Sequence, residues 1–247
     1  MQYRLTRFGF WLLFTLLYGL RIRGLRHVPR SGGAILAANH ASHLDPPVIA
    51  SACACREISF MAKEELFRFR PFGAFIAAYN AIPVKRGGFD RKAFAFFTRW
   101  LGEEGRVLLM FPEGTRTMDG SLGEPKRGVG ALCRMARVPV IPVLVTGTYA
   151  IYPKGRLIPR PWGRIEVRFG PPVKWSDDEL DASGDPSGAL AARMMEEIRK
   201  LYDSDEPLLG VWEGLKQVIR RSKPGPSDHT RAANDGQPGE GHDAGPR

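Results

Sequence analysis

Short, strongly apolar runs bounded by turn residues recur along the chain, and they constrain its fold more than any other feature. The clearest runs, at residues 33–39, 106–111 and 140–145, are rich in Val, Ile, Leu and Ala and have the length of buried strands. Segments with apolar residues at helical spacing separate them, most clearly at residues 90–104. Strands that alternate with helices are typical of the α/β fold class, which we therefore expect.

Weaker patterns extend this prediction. The Asp-Pro-Pro sequence at residues 45–47 indicates the start of a helix, with Asp45 as the N-cap and proline in the first turn. Further strands are expected at residues 57–62, 81–85 and 165–169, and further helices at residues 63–79, 127–137, 186–202 and 207–221. The sequence lacks the glycine-rich motifs of dinucleotide-binding and NTP-binding proteins and the G-x-S-x-G motif of α/β-hydrolases.

The chain is basic overall. It has 36 Lys and Arg residues against 26 Asp and Glu residues, a formal net charge of +10, which favours anionic partners such as nucleic acid, anionic lipid or phosphorylated substrates. A nucleic-acid-binding protein would carry a basic stripe with interleaved aromatic residues, and we expect no nucleic-acid partner because the sequence has no such stripe. The three cysteines form no C-x-x-C pair, so we predict neither a disulfide framework nor a metal site.

The N-terminal segment combines positive charge with an apolar run. No acidic residue occurs before Asp45, and arginines including Arg7, Arg21 and Arg23 flank the uncharged residues 8–20. As a helix this run would span roughly 20 Å, less than the roughly 30 Å hydrocarbon core of a bilayer. We expect a helix that lies in or dips into one leaflet, with arginines at both ends on anionic head groups. A signal peptide or an ordinary core helix is the alternative, although no small-residue cleavage site follows the run.

Polar residues with catalytic potential follow the first predicted strand. They are Asn39, His40, Ser42, His43 and Asp45. On a regular helix His40 and Asp45 would point roughly 140° apart, whereas a turn that ends at Asp45 could bring them together. The carboxylate could then hold one imidazole nitrogen and leave the other free as a base. Alternatively, His40 and Asp45 have no joint role, or His43 is the base.

A second group follows the most apolar strand. Glu113, Gly114, Thr115 and Arg116 combine a carboxylate, close backbone approach, a hydroxyl and a guanidinium, which suits a bound polyol phosphate. A polar surface turn is the alternative interpretation.

Two basic turns could add to a phosphate site. Arg86 lies between the strand predicted at residues 81–85 and two glycines, and Lys126 precedes a predicted helix N-terminus, which favours an anion. In both cases a solvated basic turn is the alternative.

In this order the motifs resemble those of the PlsC-type glycerolipid acyltransferase family. The family's N-H-x-S-x-x-D motif, with its H-x₄-D spacing, is matched at residues 39–45, and its Phe-Pro-Glu-Gly-Thr-Arg motif is matched without a gap at residues 111–116. Arg86 matches the arginine of its second motif, and residues 138–143 match its Val-Pro-Val-Ile-Pro-Val strand. The resemblance covers roughly residues 24–170.

The resemblance implies transfer of an acyl group from acyl-CoA or acyl carrier protein to the 2-hydroxyl of 1-acyl-sn-glycerol 3-phosphate, which forms phosphatidic acid without a cofactor. His40 would be the general base, Asp45 would orient it, and the hydroxyl would attack the thioester directly. The residues expected to bind substrate are Arg86, Glu113, Gly114, Thr115, Arg116 and Lys126. Another lysophospholipid or a lyso-aminolipid is the alternative acceptor. A catalytically silent membrane-binding relative is also conceivable, but it need not keep both His40 and Asp45.

The resemblance also implies a single acyltransferase domain with a mixed sheet flanked by helices. We expect an N-terminal membrane-associated helix at residues 1–23, the PlsC-like domain at residues 24–205, a C-terminal helix at residues 206–221 and a disordered, Gly- and Pro-rich tail at residues 222–247. The protein would be peripheral or monotopic on the cytoplasmic face of the bacterial inner membrane. Its partners would be anionic lipids, the lysophospholipid acceptor and the acyl donor.

Overall fold

A computed structural model of the protein describes residues 2–68, 70–84, 91–205 and 208. Its strands form one seven-stranded sheet. They are β1 (Arg21–Arg23), β2 (Ala34–Ala38), β3 (Ile58–Lys63), β4 (Ala81–Val84), β5 (Val107–Met110), β6 (Val140–Thr146) and β7 (Glu166–Phe169). The strand order is β1-β7-β6-β2-β5-β3-β4, and all neighbours are parallel except β6 and β7. The predicted α/β class with a mixed sheet is therefore confirmed.

Helices cover both faces of this sheet. They are α1 (Gln2–Tyr18), α2 (Asp45–Ala52), α3 (Arg70–Ala78), α4 (Arg91–Gly102), α5 (Arg127–Ala136), α6 (Thr148–Ile151), α7 (Asp177–Asp181) and α8 (Pro186–Lys200). Side chains of α1, α2 and α3 pack with the strands in one core cluster, and those of α4, α5 and α8 pack in a second cluster on the opposite face. The protein is thus a helix–sheet–helix sandwich.

The central strands are apolar because they are covered on both sides. Every residue of β2 and β5 is buried. In β2, Leu36 belongs to the core cluster on one face of the sheet and Ile35 to the cluster on the other. Parallel strands buried on both faces are continuous apolar runs in sequence, which is why these strands were predictable. Since β2, β5 and β6 are parallel neighbours, their C-terminal ends meet at one edge of the sheet, where the site lies.

Helix α1 has two different faces. Trp11, Phe14 and Tyr18 are buried in the core, where α1 packs against α2. Large apolar side chains on the opposite face remain exposed, namely Leu5, Phe8, Leu12, Leu13, Leu16 and Leu17. The helix is therefore both part of the domain core and the carrier of an exposed leucine-rich face. Of the helices in the described part of the chain, none has both the length and the apolar character needed to cross a bilayer.

Two of the N-terminal arginines have partners inside the protein. Arg7 is buried, and its guanidinium donates a hydrogen bond to the Cys53 carbonyl (3.3 Å). Arg23 donates from Nε to Glu166 Oε1 (2.7 Å). The expectation that arginines at both ends of the apolar run contact head groups is therefore wrong for these two. The reason is that Arg7 lies on the core-facing side of α1, whereas Arg23 lies in a strand next to β7.

The expected boundary between residues 23 and 24 differs from the structure. Residues 21–23 form β1, which pairs with β7, so the sheet begins before residue 24. Helix α7 was not predicted from the sequence. The C-terminal helix expected at residues 206–221 and the tail expected at residues 222–247 lie outside the described residues, apart from Leu208, which forms a bridge with Arg23.

Candidate active site

Two loops meet at the C-terminal edge of the sheet. The first, residues 39–44, connects β2 to α2, and the second, residues 111–126, connects β5 to α5. Ala37 of β2 pairs with Met110 of β5, so both loops begin side by side. This parallel pairing brings the two polar sequence motifs, about 70 residues apart in the chain, into one site.

The first loop brings His40 and Asp45 into contact. His40 Nδ1 lies 2.9 Å from Asp45 Oδ2. The Asp45 side chain is fully buried (0% exposed), whereas His40 retains 17% of its side-chain exposure. The same Oδ2 atom accepts hydrogen bonds from the backbone N–H groups of Ala41 and Ser42, each at 2.7 Å. A buried carboxylate thus holds one imidazole nitrogen, and in the described part of the chain no hydrogen bond reaches the other nitrogen, Nε2.

Asp45 does not cap α2, contrary to the sequence prediction. Leu44 occupies the N-cap position without a side-chain hydrogen bond, and Asp45 is the first residue of the helix. The Asp45 carboxylate instead turns back toward the loop that precedes it, where three donors converge on Oδ2. Pro46 and Pro47 have no N–H group, so the first turn of α2 has fewer donors that need a cap.

Asn39 and Ser42 hold the first loop in place. The Asn39 amide donates to the Val145 carbonyl (3.0 Å) and accepts from the Val145 N–H (2.8 Å), which continues the pairing of β2 with β6 through a side chain. Ser42 Oγ donates to the Tyr152 carbonyl (2.7 Å) and accepts from the Leu44 N–H (3.1 Å). Both side chains are buried. Their polar atoms are thus engaged in structural hydrogen bonds, and Ser42 is not presented as a nucleophile.

Phe111 contacts the imidazole directly. Its ring stacks on His40 with a centroid distance of 3.9 Å and an interplanar angle of 18°. Phe111 belongs to the motif matched at residues 111–116, but no role of its own was predicted for it. The signal that could have identified it is the parallel pairing of β2 with β5, because Phe111 directly follows the Ala37–Met110 pair. Stacking and the Asp45 hydrogen bond together fix the orientation of the imidazole ring.

Glu113 connects the second loop to the first. It is buried, and its Oε1 atom accepts the backbone N–H of His40 (2.9 Å). The His40 carbonyl in turn accepts the N–H of Thr117 (2.9 Å). Burial raises the pKa of Glu113, an effect that hydrogen bonds from the backbone N–H groups of His40 and Gly123 oppose. The second loop therefore binds both backbone polar groups of His40.

His43 and Arg116 lie beside this pair. Desolvation, with the positive charge of Arg116 next in importance, lowers the pKa of His43 to about 4. His43 is therefore neutral near pH 7, but its pKa lies too far below that pH for an efficient general base. The Asp45 carboxylate pairs with His40 and not with His43. Burial lowers the pKa of Arg116, while Tyr152 and the Asp45 carboxylate act in the opposite direction. A half-buried guanidinium thus lies within electrostatic range of His43 and Asp45.

Three further predicted binding residues, Gly114, Thr115 and Lys126, are exposed on the second loop of the site. Gly114 and Thr115 are exposed, and Gly114 adopts a left-handed conformation (φ 67°) at the turn of the second loop. Lys126 is also exposed, and its N–H donates to the Pro112 carbonyl (2.8 Å) directly before α5. The structure thus brings these residues and the N-terminus of α5 together. Arg86 lies outside the described residues.

Comparison with protein families and curated proteins gives consistent matches. The family model described as Acyltransferase matches residues 19–146, more than half of the chain. The 1-acyl-sn-glycerol-3-phosphate acyltransferase of Streptococcus pneumoniae is 31% identical over 179 residues, which cover 70% of this chain and 64% of that protein. The protein of the same name from Limnanthes douglasii is 29% identical, over 67% of this chain and 60% of that one. The chain therefore spans less than two thirds of the length of these relatives.

Two further matches cover most of both partners. The 1-acyl-sn-glycerol-3-phosphate acyltransferase of Bacillus subtilis is 23% identical over 80% of this chain and 95% of that protein. The crystal structure of the 1-acyl-sn-glycerophosphate acyltransferase PlsC from Thermotoga maritima superposes with a TM-score of 0.65 and 26% identity, over 83% of this chain and 81% of that one. With the two motifs assembled in one site and the family model matched across them, the chain belongs to the acyltransferase family.

Proposed function

We propose that the protein transfers a fatty acyl group from a thioester donor to the 2-hydroxyl of 1-acyl-sn-glycerol 3-phosphate and so forms phosphatidic acid. The observation that carries this proposal is the His40–Asp45 pair, in which a fully buried carboxylate holds Nδ1 at 2.9 Å. Nε2 is then free to accept a proton. The activity named for the relatives in Streptococcus pneumoniae and Bacillus subtilis supports the same reaction.

In the proposed mechanism His40 Nε2 takes the proton of the acceptor hydroxyl as the oxygen attacks the thioester carbonyl carbon. The new C–O bond forms, the C–S bond breaks, and the thiolate leaving group receives the proton from His40. Asp45 stabilises the imidazolium that exists between these two transfers. The Ser42 hydroxyl donates to the Tyr152 carbonyl and is therefore not presented as a nucleophile. This supports direct attack without an acyl-enzyme intermediate.

The acceptor phosphate would bind at the second loop. Arg116 supplies a guanidinium that can donate two parallel hydrogen bonds to phosphate oxygens, and Lys126 adds positive charge beside the N-terminus of α5. Gly114 and Thr115 would contact the glycerol phosphate from the exposed turn to which they belong. Glu113 would act indirectly, by fixing the position of His40, because its carboxylate accepts the backbone N–H groups of His40 and Gly123. Arg86 remains a predicted second phosphate ligand.

The proposed donor is acyl-CoA or acyl carrier protein, used as a co-substrate, and the proposed location is a membrane surface. The exposed leucine-rich face of α1 supports membrane association, because contiguous exposed apolar side chains mark a surface that contacts lipid or protein. Cys53, Cys55 and Cys133 are free thiols, which supports a reducing compartment such as the cytoplasmic side of the bacterial inner membrane.

Thiol release from palmitoyl-CoA tests the proposal. We expect release to depend on added 1-acyl-sn-glycerol 3-phosphate and to yield phosphatidic acid. Palmitoyl-acyl carrier protein would be tried as the second donor, and lysophosphatidylcholine and lysophosphatidylethanolamine as competing acceptors. Transfer only to acceptors that carry a head group would exclude lysophosphatidate as the substrate. No transfer from either donor to any acceptor would exclude the acyltransferase activity.

Replacement of Arg116 by alanine should weaken binding of the acceptor. We expect the acceptor KM to rise about 10- to 100-fold, as for the loss of a charged hydrogen bond, and the donor KM to change little. Steady-state kinetics with each substrate varied in turn would measure both constants. Arg106→Ala is the matched control, because this exposed arginine precedes β5 at the end of the strand opposite to the site. Equal rises in both KM values would remove Arg116 from the phosphate site.

A further inference from the structure

The loop between α6 and β7, residues 152–165, presents large apolar side chains to solvent. Leu157, Ile158 and Trp162 are 91%, 73% and 70% exposed. Hydrogen bonds nonetheless connect the loop to α6. Arg160 donates from its backbone N–H to the Ile151 carbonyl (2.9 Å) and from its guanidinium to the Ala150 carbonyl (2.7 Å). These apolar side chains are thus exposed on a segment that hydrogen bonds connect to the domain. Exposed apolar side chains that lie close together mark an interaction surface.

The same loop is strongly basic. Lys154, Arg156, Arg160 and Arg164 are all exposed. Within the described residues none of them forms an ion pair with a carboxylate, and the sequence has no Asp or Glu between Glu124 and Glu166. Unneutralised positive charge interleaved with exposed apolar side chains is the composition of segments that contact an anionic lipid surface.

The loop contacts both the C-terminal end of α1 and the first loop of the candidate site. At one end, the Tyr18 hydroxyl at the last residue of α1 donates to the Arg160 carbonyl (2.9 Å), and the Ile165 N–H donates to the Tyr18 carbonyl (3.1 Å). At the other end, the Tyr152 carbonyl accepts Ser42 Oγ, and the Tyr152 ring lies 6.2 Å from that of His43. The loop therefore extends from the C-terminal end of α1, the helix that carries the exposed leucines, to the loop that holds His40 and Asp45.

We propose that the α6–β7 loop is a second lipid-binding element, which inserts Leu157, Ile158 and Trp162 into the head-group region of an anionic leaflet beside the acceptor site. The four basic side chains would contact lipid phosphates, and the indole of Trp162 suits the boundary between apolar and polar layers. This inference rests on the proposed function, because a lysophospholipid acceptor with its chain in the leaflet would reach His40 past this loop.

A lipid surface fits the loop better than an acidic carrier protein does. The loop contacts the C-terminal end of α1, and the exposed face of the same helix carries leucines that match the apolar layer of a bilayer. An acidic protein surface would leave those leucines without a partner. The acyl carrier protein therefore becomes a competing outcome of the test.

Vesicle co-sedimentation of the full chain tests the inference. We expect Leu157→Ser/Trp162→Ser to lower the partition coefficient onto phosphatidylcholine–phosphatidylglycerol vesicles by about tenfold or more. Lys154→Gln/Arg164→Gln should lower binding only when phosphatidylglycerol is present and should reduce its salt dependence. Activity on detergent-dispersed acceptor should stay within about twofold of wild type in both variants, because neither changes the catalytic pair.

Met135→Ser is the control. Met135 is also exposed but lies on α5, on the opposite face of the sheet. Leu12→Ser/Leu16→Ser measures the contribution of α1 to vesicle binding, and thermal unfolding checks the fold of each variant.

Wild-type vesicle binding in both loop variants, or an equal loss in Met135→Ser, would overturn the inference. So would unchanged vesicle binding with a raised KM for palmitoyl-acyl carrier protein, which would assign the loop to the donor. Absence of vesicle binding by the wild type would overturn both the inference and the proposed membrane location. Absence of acyl transfer by the wild type on detergent-dispersed acceptor would overturn the proposed reaction alone.

Discussion

His40→Ala is expected to lower the rate of acyl transfer by about 10²- to 10⁴-fold, the contribution typical of a positioned general base. The variant should remain folded, because the imidazole is partly exposed and, within the described part of the chain, its side chain bonds to Asp45 and stacks on Phe111. Acceptor-dependent thiol release from palmitoyl-CoA, with circular dichroism as the check on folding, would measure the loss.

His43→Ala is the matched control for this prediction. Both histidines lie in the loop between β2 and α2, but the pKa of His43 is lowered to about 4 and it has no carboxylate partner among the described residues. We expect its activity to stay within about tenfold of wild type. If His43→Ala lost the activity and a folded His40→Ala retained it, the base would have to be reassigned to His43.

Asp45→Asn should have the second-largest effect, with a fall in kcat of about 10²- to 10⁴-fold. The amide oxygen can still accept the N–H groups of Ala41 and Ser42, which preserves the turn, but a neutral amide stabilises the imidazolium poorly. Asp45→Ala should additionally destabilise the protein, because two N–H groups that Oδ2 now accepts would lose their acceptor, at about 1–3 kcal/mol each. Turnover and denaturant unfolding would separate the two effects.

Asp177→Asn serves as the control, because this carboxylate forms surface ion pairs with Arg134 and Arg137 outside the two loops of the site. Wild-type turnover in Asp45→Asn would mean that the charge on Asp45 is not needed and that only its geometry matters. Equal stability of Asp45→Ala and wild type would contradict the structural half of the prediction.

Much of the central fold was predictable because its signals are local. The strands β2, β5 and β6 are buried on both faces, so each is an uninterrupted apolar run in sequence. The candidate site residues were identifiable because the H-x₄-D motif and the Phe-Pro-Glu-Gly-Thr-Arg motif each follow one of these runs. The two motifs meet because β2 and β5 are parallel neighbours in the sheet.

The missed features depend on partners that are distant in sequence. Asp45 has the pattern of a helix cap, but the donors that attract its carboxylate come from the preceding loop. Arg7 is charged and lies beside an apolar run, which suggests a membrane boundary, yet it is buried against Cys53, 46 residues away. Glu113 looks like a substrate ligand in sequence, whereas its hydrogen bond to the His40 backbone becomes visible only when the loops are placed together.

The short strand β1 also determines which changes to the N-terminal region the protein can tolerate. It carries Arg21 and Arg23 at one edge of the sheet and covers β7, whose other neighbour is β6. A chain shortened to begin at residue 24 would expose the backbone N–H and C=O groups of β7 and uncover the core where α1 packs. An uncovered strand of this kind can pair with the same strand of a second molecule, so we expect the shortened protein to self-associate. A test of the proposed membrane association therefore has to replace exposed side chains, because removal of the whole segment would also disrupt the sheet and the core.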